Sequence, residues 1–212
     1  MVTDSIKETA HQLGAEVCGV ASVERFHDAP QGFHPADILR GTKSVIVFGK
    51  PFSKSVFKAE TNAPYTLTRN MLIAEIDQIA MELAFEIEKE GFDAVPIPSS
   101  EPYEFWDVER RHGRGILSLK HSAQLSGLGY MGKNTLLIHP QFGNRLWLGA
   151  VISNIELTPD ALAQTRCPQN CQVCIESCPQ SALDGITIDQ KKCREICQSL
   201  EKHFGSRIVF IN

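Results

Sequence analysis

Six of the chain's seven cysteines fall between positions 167 and 197, in the run CPQNCQVCIESCPQSALDGITIDQKKCREIC. Thiols at such short intervals constrain a chain more than any apolar pattern, because the loops between them cannot build a core of their own. The gaps read C-x3-C-x2-C-x3-C-P, then C-x3-C after fourteen intervening residues. The N-terminal stretch MVTDSIKETAHQ is polar and helical in character, and no run of apolar residues reaches the length of a membrane span. The chain is therefore expected to be cytoplasmic, with its clustered cysteines serving as metal ligands rather than disulfides. Bacterial ferredoxins use C-x2-C-x2-C-x3-C-P, from which this run departs by one residue in the first gap. Three thiolates on one tight loop can cap three corners of an iron–sulfur cubane while the surrounding backbone points N–H groups at the sulfurs. The proline after Cys178 ends that loop. Zinc ribbons pair C-x2-C knuckles across a longer spacer and have no use for the C-x3-C-P unit.

Counting ligands leaves alternatives open. Each [4Fe-4S] cluster takes four cysteines, so six thiols exceed the need of one cluster and fall short of two. The reading adopted is one [4Fe-4S] cluster with Cys167, Cys171 and Cys174 as its leading ligands. Its fourth ligand comes from Cys178, Cys193, Cys197 or His203. In two-cluster ferredoxins the cysteine before the proline serves the other cluster, which would pair Cys178 with Cys193 or Cys197. The seventh cysteine, Cys18, stands alone in the apolar run AEVCGVASV and reads as a small buried thiol.

Ahead of the cysteines, helical and strand patterns alternate. Ile6, Ala10 and Leu13 share one face of a short helix that stops at Gly14, and Ala15–Val23 reads as a strand. A loop over 24–43 leads to SVIVFGKPF (44–52), a β-branched run expected to be a buried central strand. Leu72, Ile76, Ile79, Leu83 and Ile87 recur at helical spacing over Thr68–Glu90, and Gly91 stops that helix. The two prolines of DAVPIP (93–98) mark an edge strand; helical spacing returns at 117–125, and a later strand covers Asn144–Asn154. The expectation is an α+β fold: a layered main domain over residues 1–157 and a small ferredoxin-like segment over 158–212.

The segment Gly127-Leu-Gly129-Tyr-Met-Gly132-Lys133-Asn134 matches G-x-G-x-x-G and nearly matches a P-loop. Both motifs require a strand before the glycines, whereas LSLKHSAQLS has helical spacing, and Asn134 stands where a P-loop needs Ser or Thr. A glycine-rich turn remains, with backbone free to approach a large cofactor. His121 and His139 flank this turn and read as structural residues.

Taken together, SLKHSAQLSGLGYMGKNTLLIHPQFGNRLWLGAVISN and the cysteine run resemble the core of the epoxyqueuosine reductase family, which is related to the reductive dehalogenases. The resemblance is tight from Ser118 to Cys193 and looser toward the N-terminus. It implies a cobalamin-dependent reductase-like fold, iron–sulfur clusters that deliver electrons, and a corrinoid near Gly127, Gly129, Gly132, Lys133 and Asn134. The family reduces an epoxide on tRNA.

Three departures accompany it. The family carries an acidic proton donor in a D-S-A-P segment ahead of the glycine turn, and the corresponding position here is Gly113. Glu101, Glu104, Asp107 and Glu109 are the nearby carboxylates that could take its place as general acid. Second, the family's second set of four cysteines is missing, which shortens the usual relay from external donor to active site. Third, the chain ends at Asn212 without the helical repeats that help hold tRNA. With a net charge of −4 and a pI near 6.0, nucleic acid is not an expected partner.

The sequence thus leads to an iron–sulfur oxidoreductase that takes electrons from an external donor such as ferredoxin or flavodoxin. It would pass them to a bound cofactor, cobalamin by resemblance, and on to a small-molecule substrate. The alternative is a non-enzymatic electron carrier or cobalamin-handling protein, or a cluster acting only as a folding staple. No catalytic residue is assigned, and a homodimer is expected by analogy.

Overall fold

The computed structural model describes residues 3–195, so two of the ligand candidates, Cys197 and His203, lie outside the described residues. Its centre is a four-stranded antiparallel sheet of β1 (Val17–Ser22), β2 (Ser44–Pro51), β3 (Ala94–Ile97) and a late strand, β8 (Leu146–Ser153), in the order β1-β2-β8-β3. The run SVIVFGKP is central because apolar side chains on both of its faces need cover. Ile46 and Phe48 point to one core, Val45 and Val47 to the other, and all four are fully buried. β3 pairs only with β8, the edge position that Pro96 requires.

Two helices cover the first face. In α1 (Thr3–Gln12) Ile6 and Ala10 are buried; in α3 (Ala63–Lys89) the buried stripe is Leu72, Ile76, Ile79, Leu83 and Ile87. Burial of each such side chain contributes about 1.5–3 kcal/mol, so this stripe is the main apolar bond between helix and sheet. The helix starts five residues before Thr68, because Pro64 in its first turn is tolerated where no backbone donor is needed. The loop expected over 24–43 contains a 3-10 turn (Val23–Phe26) and a one-turn helix, α2 (Pro35–Ile38), closed by a capping box between His34 and Asp37.

The second face is built by the chain between β3 and β8. This stretch holds a hairpin of β4 (Phe105–Asp107) and β5 (His112–Arg114), then α4 (Leu119–Leu125), then a hairpin of β6 (Tyr130–Met131) and β7 (Leu137–Ile138). Leu117, Ala123, Leu128 and Leu137 pack with Val45, Val47 and Ile152. The result is α+β, a helix layer and a mixed helix–hairpin layer on opposite faces of one sheet.

Beyond β8 the chain stays tied to the sheet. The Asp160 carboxylate accepts the Val20 N–H at 2.8 Å and pairs with Lys7, while Arg25 donates to the Asp160 carbonyl at 2.8 Å. Among the described residues no helix is long and apolar enough to cross a membrane.

Gly149 shows how closely the layers meet: a Cβ there would lie 2.5 Å from Cγ2 of Ile76 and 2.8 Å from Cε2 of Phe48. Gly149→Ala is expected to overpack this contact and cost about 1–3 kcal/mol, read as a lower midpoint in urea unfolding. An unchanged midpoint would show that α3 does not press on β8 here.

Candidate functional site

The glycine turn begins where α4 ends. Gly127 takes a φ of +77°, with its N–H bonded to the Gln124 carbonyl and that of Leu128 to the Ala123 carbonyl, a Schellman termination that a residue with a Cβ would strain. The helix ahead of the glycines removes the nucleotide-loop readings, as the sequence pattern indicated. What sequence reasoning missed is that the turn then forms a hairpin, Tyr130 opposite Ile138 and Met131 opposite Leu137. Each glycine has a reason inside the chain. A Cβ on Gly127 would meet the Ala161 carbonyl at 2.2 Å, one on Gly129 the Ile138 carbonyl at 2.4 Å, and one on Gly132 the Asn134 amide oxygen at 2.6 Å. These close approaches are to the chain's own atoms; none of them is an open cradle.

The hairpin tip is held from two sides. Lys120 on α4 donates to the Thr135 carbonyl at 2.9 Å, and burial pulls its pKa down. The Asn134 amide oxygen accepts the Leu136 N–H within the tip. On the other side Lys133 reaches the cysteine segment, where its Nζ donates to the carbonyls of Gln169 at 2.6 Å and Cys171 at 2.9 Å. No local pattern signals this contact, since its partners are 36 and 38 residues away.

Cys167 and Cys171 lie on a loop, Cys174 lies within the single turn α5 (Val173–Glu176), and Cys178 follows it. Cys193 is exposed within a helical stretch over 190–195. Cys18, Cys167, Cys171, Cys174 and Cys178 are free thiols. The Cys178 sulfur accepts the Ala182 N–H at 3.3 Å. That donor first, then the N–H of Gln180 with smaller help from Leu183 and Ser181, draws the thiol pKa down against the opposing effect of desolvation. A ring of backbone N–H groups around one sulfur favours the thiolate, the form that binds metal. Among the described residues no three His, Cys, Asp or Glu side chains already converge on one metal position. Loops built around a metal close only when it binds. The chemistry of the donor set, unpaired thiols at ferredoxin-like intervals with N–H groups on Cys178, fits an iron–sulfur cluster.

Cys18 is the opposite case. It sits in β1, and burial pushes its thiol up to about 12, with Lys7 lowering and Asp160 raising that value to lesser extents. Partly buried against the core, it is held in the thiol form, which disfavours metal binding.

The β4–β5 hairpin docks on the far end of the cysteine segment. The Gln190 amide bonds both the N–H and the carbonyl of Gly113, and the Arg194 guanidinium lies 4.9 Å from the Trp106 ring centroid. A Cβ at Gly113 would press on the Tyr103 ring at 3.0 Å, which accounts for glycine at this position. Of the four candidate acids, Asp107 accepts the Arg110 N–H at 2.8 Å and closes its own hairpin. Glu101, Glu104 and Glu109 are exposed.

His139 is structural. Its Nδ1 accepts the N–H groups of Gln141 and Phe142, which places the proton of the neutral ring on Nε2, and the ring stacks on Phe142. His121 bonds Ser118 at 2.6 Å, its pKa lowered by burial and then by the Lys120 charge.

No protein-family model matches the chain. It is 39% identical to epoxyqueuosine reductase of Bacillus anthracis over 88 residues, 41% of this chain and 23% of that protein. It is 25% identical to epoxyqueuosine reductase of Vibrio cholerae serotype O1 over 228 residues, 91% of this chain and 57% of that protein. The chain thus spans from about a quarter to little more than half the length of these curated relatives. Epoxyqueuosine reductase from Streptococcus thermophilus superposes with a TM-score of 0.66 at 19% identity, covering 99% of this chain and 60% of that one. An epoxyqueuosine reductase solved with a tRNA-Tyr epoxyqueuosine-modified tRNA stem loop superposes at 0.61 and 17% identity, covering 92% and 56%. A reductive dehalogenase described as B12-dependent superposes at 0.56 and 18% identity, covering 84% and 22%. The chain is epoxyqueuosine reductase-like in sequence and shares its fold with those reductases and with reductive dehalogenases.

A pH dependence follows from His139, whose pKa burial lowers from the usual imidazole value. The folded protein then takes up this proton less readily than the unfolded chain. The stability His139 contributes is complete above about pH 6.5 and is lost as pH falls through the lowered value. His139→Asn keeps an acceptor for both N–H groups and does not titrate. It is expected to make the fall in urea-unfolding stability on the acid side of that pH shallower. A fall as steep as in the parent protein would show that His139 is not its source.

Proposed function

We propose that the chain is an iron–sulfur oxidoreductase of the epoxyqueuosine reductase kind. In this reading residues 158–212 hold one [4Fe-4S] cluster and residues 1–157 form the main domain that receives its electrons. Cys167, Cys171 and Cys174 supply three thiolates, and the fourth comes from Cys178, Cys193 or Cys197. The observation that carries the reading is the seating of this run. Its free thiols lie on one loop and one turn, N–H groups already surround one sulfur, and Lys133 ties the loop to the hairpin of the sequence segment that resembles the reductases.

When bound, the cluster supplies one-electron transfer at a potential that the surrounding hydrogen bonds and charges set. The chain's own residues do the rest. Backbone N–H groups favour the Cys178 thiolate, α5 fixes Cys174 relative to Cys171 and Cys178, and Gln190 and Arg194 hold the segment's far end against the β4–β5 hairpin. An external donor such as ferredoxin or flavodoxin, a cytoplasmic setting that keeps the thiols reduced, and a homodimer belong to the same proposal. A corrinoid acceptor rests on the resemblance to the epoxyqueuosine reductase family and on the likeness to the B12-dependent dehalogenase, since the approaches of Gly127, Gly129 and Gly132 are filled by the chain itself.

The expectation against nucleic acid is revised. An epoxyqueuosine reductase of the same fold is solved with a tRNA stem loop. A net charge of −4 also does not describe the β4–β5 hairpin, where exposed Phe105 and Trp106 adjoin Arg110, Arg111 and Arg114. The electron acceptor is thus a small molecule or a modified base on RNA, which reduction assays against each class distinguish. A second reading, an electron carrier without substrate chemistry, is favoured by one observation. Gly113 stands at the family's acid position, and Asp107 is engaged in its own turn.

Purified without oxygen, the protein is expected to carry about four irons and equal sulfide per chain, and Cys171→Ser and Cys174→Ser are each expected to lose them. Zinc in place of iron would end the proposal. About eight irons would establish a second cluster and correct the ligand count.

A further inference from the structure

Lys133 lies in the glycine turn, yet its side chain serves the cysteine loop. Its backbone is fixed at the hairpin tip, where Gly132 N–H bonds the Leu136 carbonyl, Thr135 N–H bonds the Gly132 carbonyl, and Lys120 clamps the Thr135 carbonyl. From this base the ammonium uses two of its three donors on the carbonyls of Gln169 and Cys171, at 2.6 and 2.9 Å. Carbonyl oxygens satisfy hydrogen bonds but carry no net charge. Among the described residues Lys133 has no carboxylate partner; the ion pairs there are those of Lys7, His27, Lys43, Lys50, Lys89 and Arg110. A half-buried positive charge therefore stands, unneutralised, against the backbone of a cysteine in the ligand run.

We propose that Lys133 is a positioning residue for the iron–sulfur centre, clamping the Cys167–Cys171 loop onto the glycine hairpin and raising the centre's reduction potential. The inference rests on the cluster reading given above. Each electron taken up adds one negative charge to the cluster, and a nearby cation stabilises the reduced form more than the oxidised one. The clamp acts in addition. It joins the glycine hairpin to the cysteine loop through the Gln169 and Cys171 carbonyls. The same residue thereby couples the loop's shape to its electrostatics. Removing the side chain should loosen the loop and make the cluster harder to reduce.

Three variants separate charge from tether. Lys133→Arg keeps the charge and can still reach carbonyl oxygens, Lys133→Gln keeps a short donor without charge, and Lys133→Met keeps neither. In anaerobic redox titrations of iron-loaded protein, the Gln and Met variants are expected to be about tenfold harder to reduce, a shift of about 59 mV to more negative potential for a one-electron couple. The Arg variant is expected to stay near the parent value.

An independent reading comes from metal-free protein treated with an arginine-specific protease. Arg166 is exposed at the mouth of the loop, so the fragment ending there should appear faster in the Met and Gln variants than in the parent or the Arg variant. Unchanged potentials in iron-loaded Gln and Met variants would overturn the electrostatic half of the inference while leaving the cluster intact. Unchanged cleavage at Arg166 would overturn the clamp. A parent protein that holds no iron would instead overturn the cluster reading, and the potential shift with it, whereas the cleavage rates would still decide the clamp.

Discussion

The cysteine segment has almost no apolar anchor: from Cys167 to Glu195 the one buried residue is Ala182. A stretch that buries so little cannot offset its own ordering entropy by the hydrophobic effect. It is held instead by a few polar contacts reaching out from the main domain. Lys133 grips the loop carbonyls at one end, Gln190 and Arg194 seat the other end on Gly113 and Trp106, and Asp160 fastens the chain just before the loop begins. Metal ligation would supply the remainder, as it does in small metal-built domains. The function proposed for the chain depends on this arrangement, since an electron-transfer centre is useful only at a fixed place relative to its acceptor.

The main domain is organised to provide that fixed place. Both faces of the antiparallel sheet are covered, one by α1 and α3 and the other by α4 with the β6–β7 hairpin. The stretch between β3 and β8 carries Lys133, Gly113 and Trp106, which hold the cysteine loop and its far helix. Because β3 and β8 are paired neighbours, that long excursion starts and ends at a rigid base. The polar grips therefore project from a well-packed support, even though the hairpins that present them are short.

Much of this could be read from the residues. The β-branched run at 44–51 declared a buried central strand, the stripe from Leu72 to Ile87 a helix on the sheet, and Pro96 an edge. Local periodicity sufficed because burial on one or both faces writes directly into sequence. The cysteine run was equally plain, since thiol spacing is a covalent property of the chain. What stayed hidden was the long-range polar wiring. By resemblance Gly127, Gly129, Gly132 and Lys133 read as residues near a corrinoid; nothing in the sequence signalled that Lys133 reaches Gln169 or that the three glycines lie against Ala161, Ile138 and Asn134. The β4–β5 hairpin was obscured because its charges and exposed aromatics give no alternation of apolar and polar faces.

The account stands on cysteine sulfurs surrounding iron rather than zinc or one another. X-ray absorption at the iron edge of anaerobically purified protein tests that most directly. It should show a first shell of sulfur alone, with iron scattering from neighbouring iron. A first shell of nitrogen and oxygen, or absorption at the zinc edge with none at the iron edge, would contradict it.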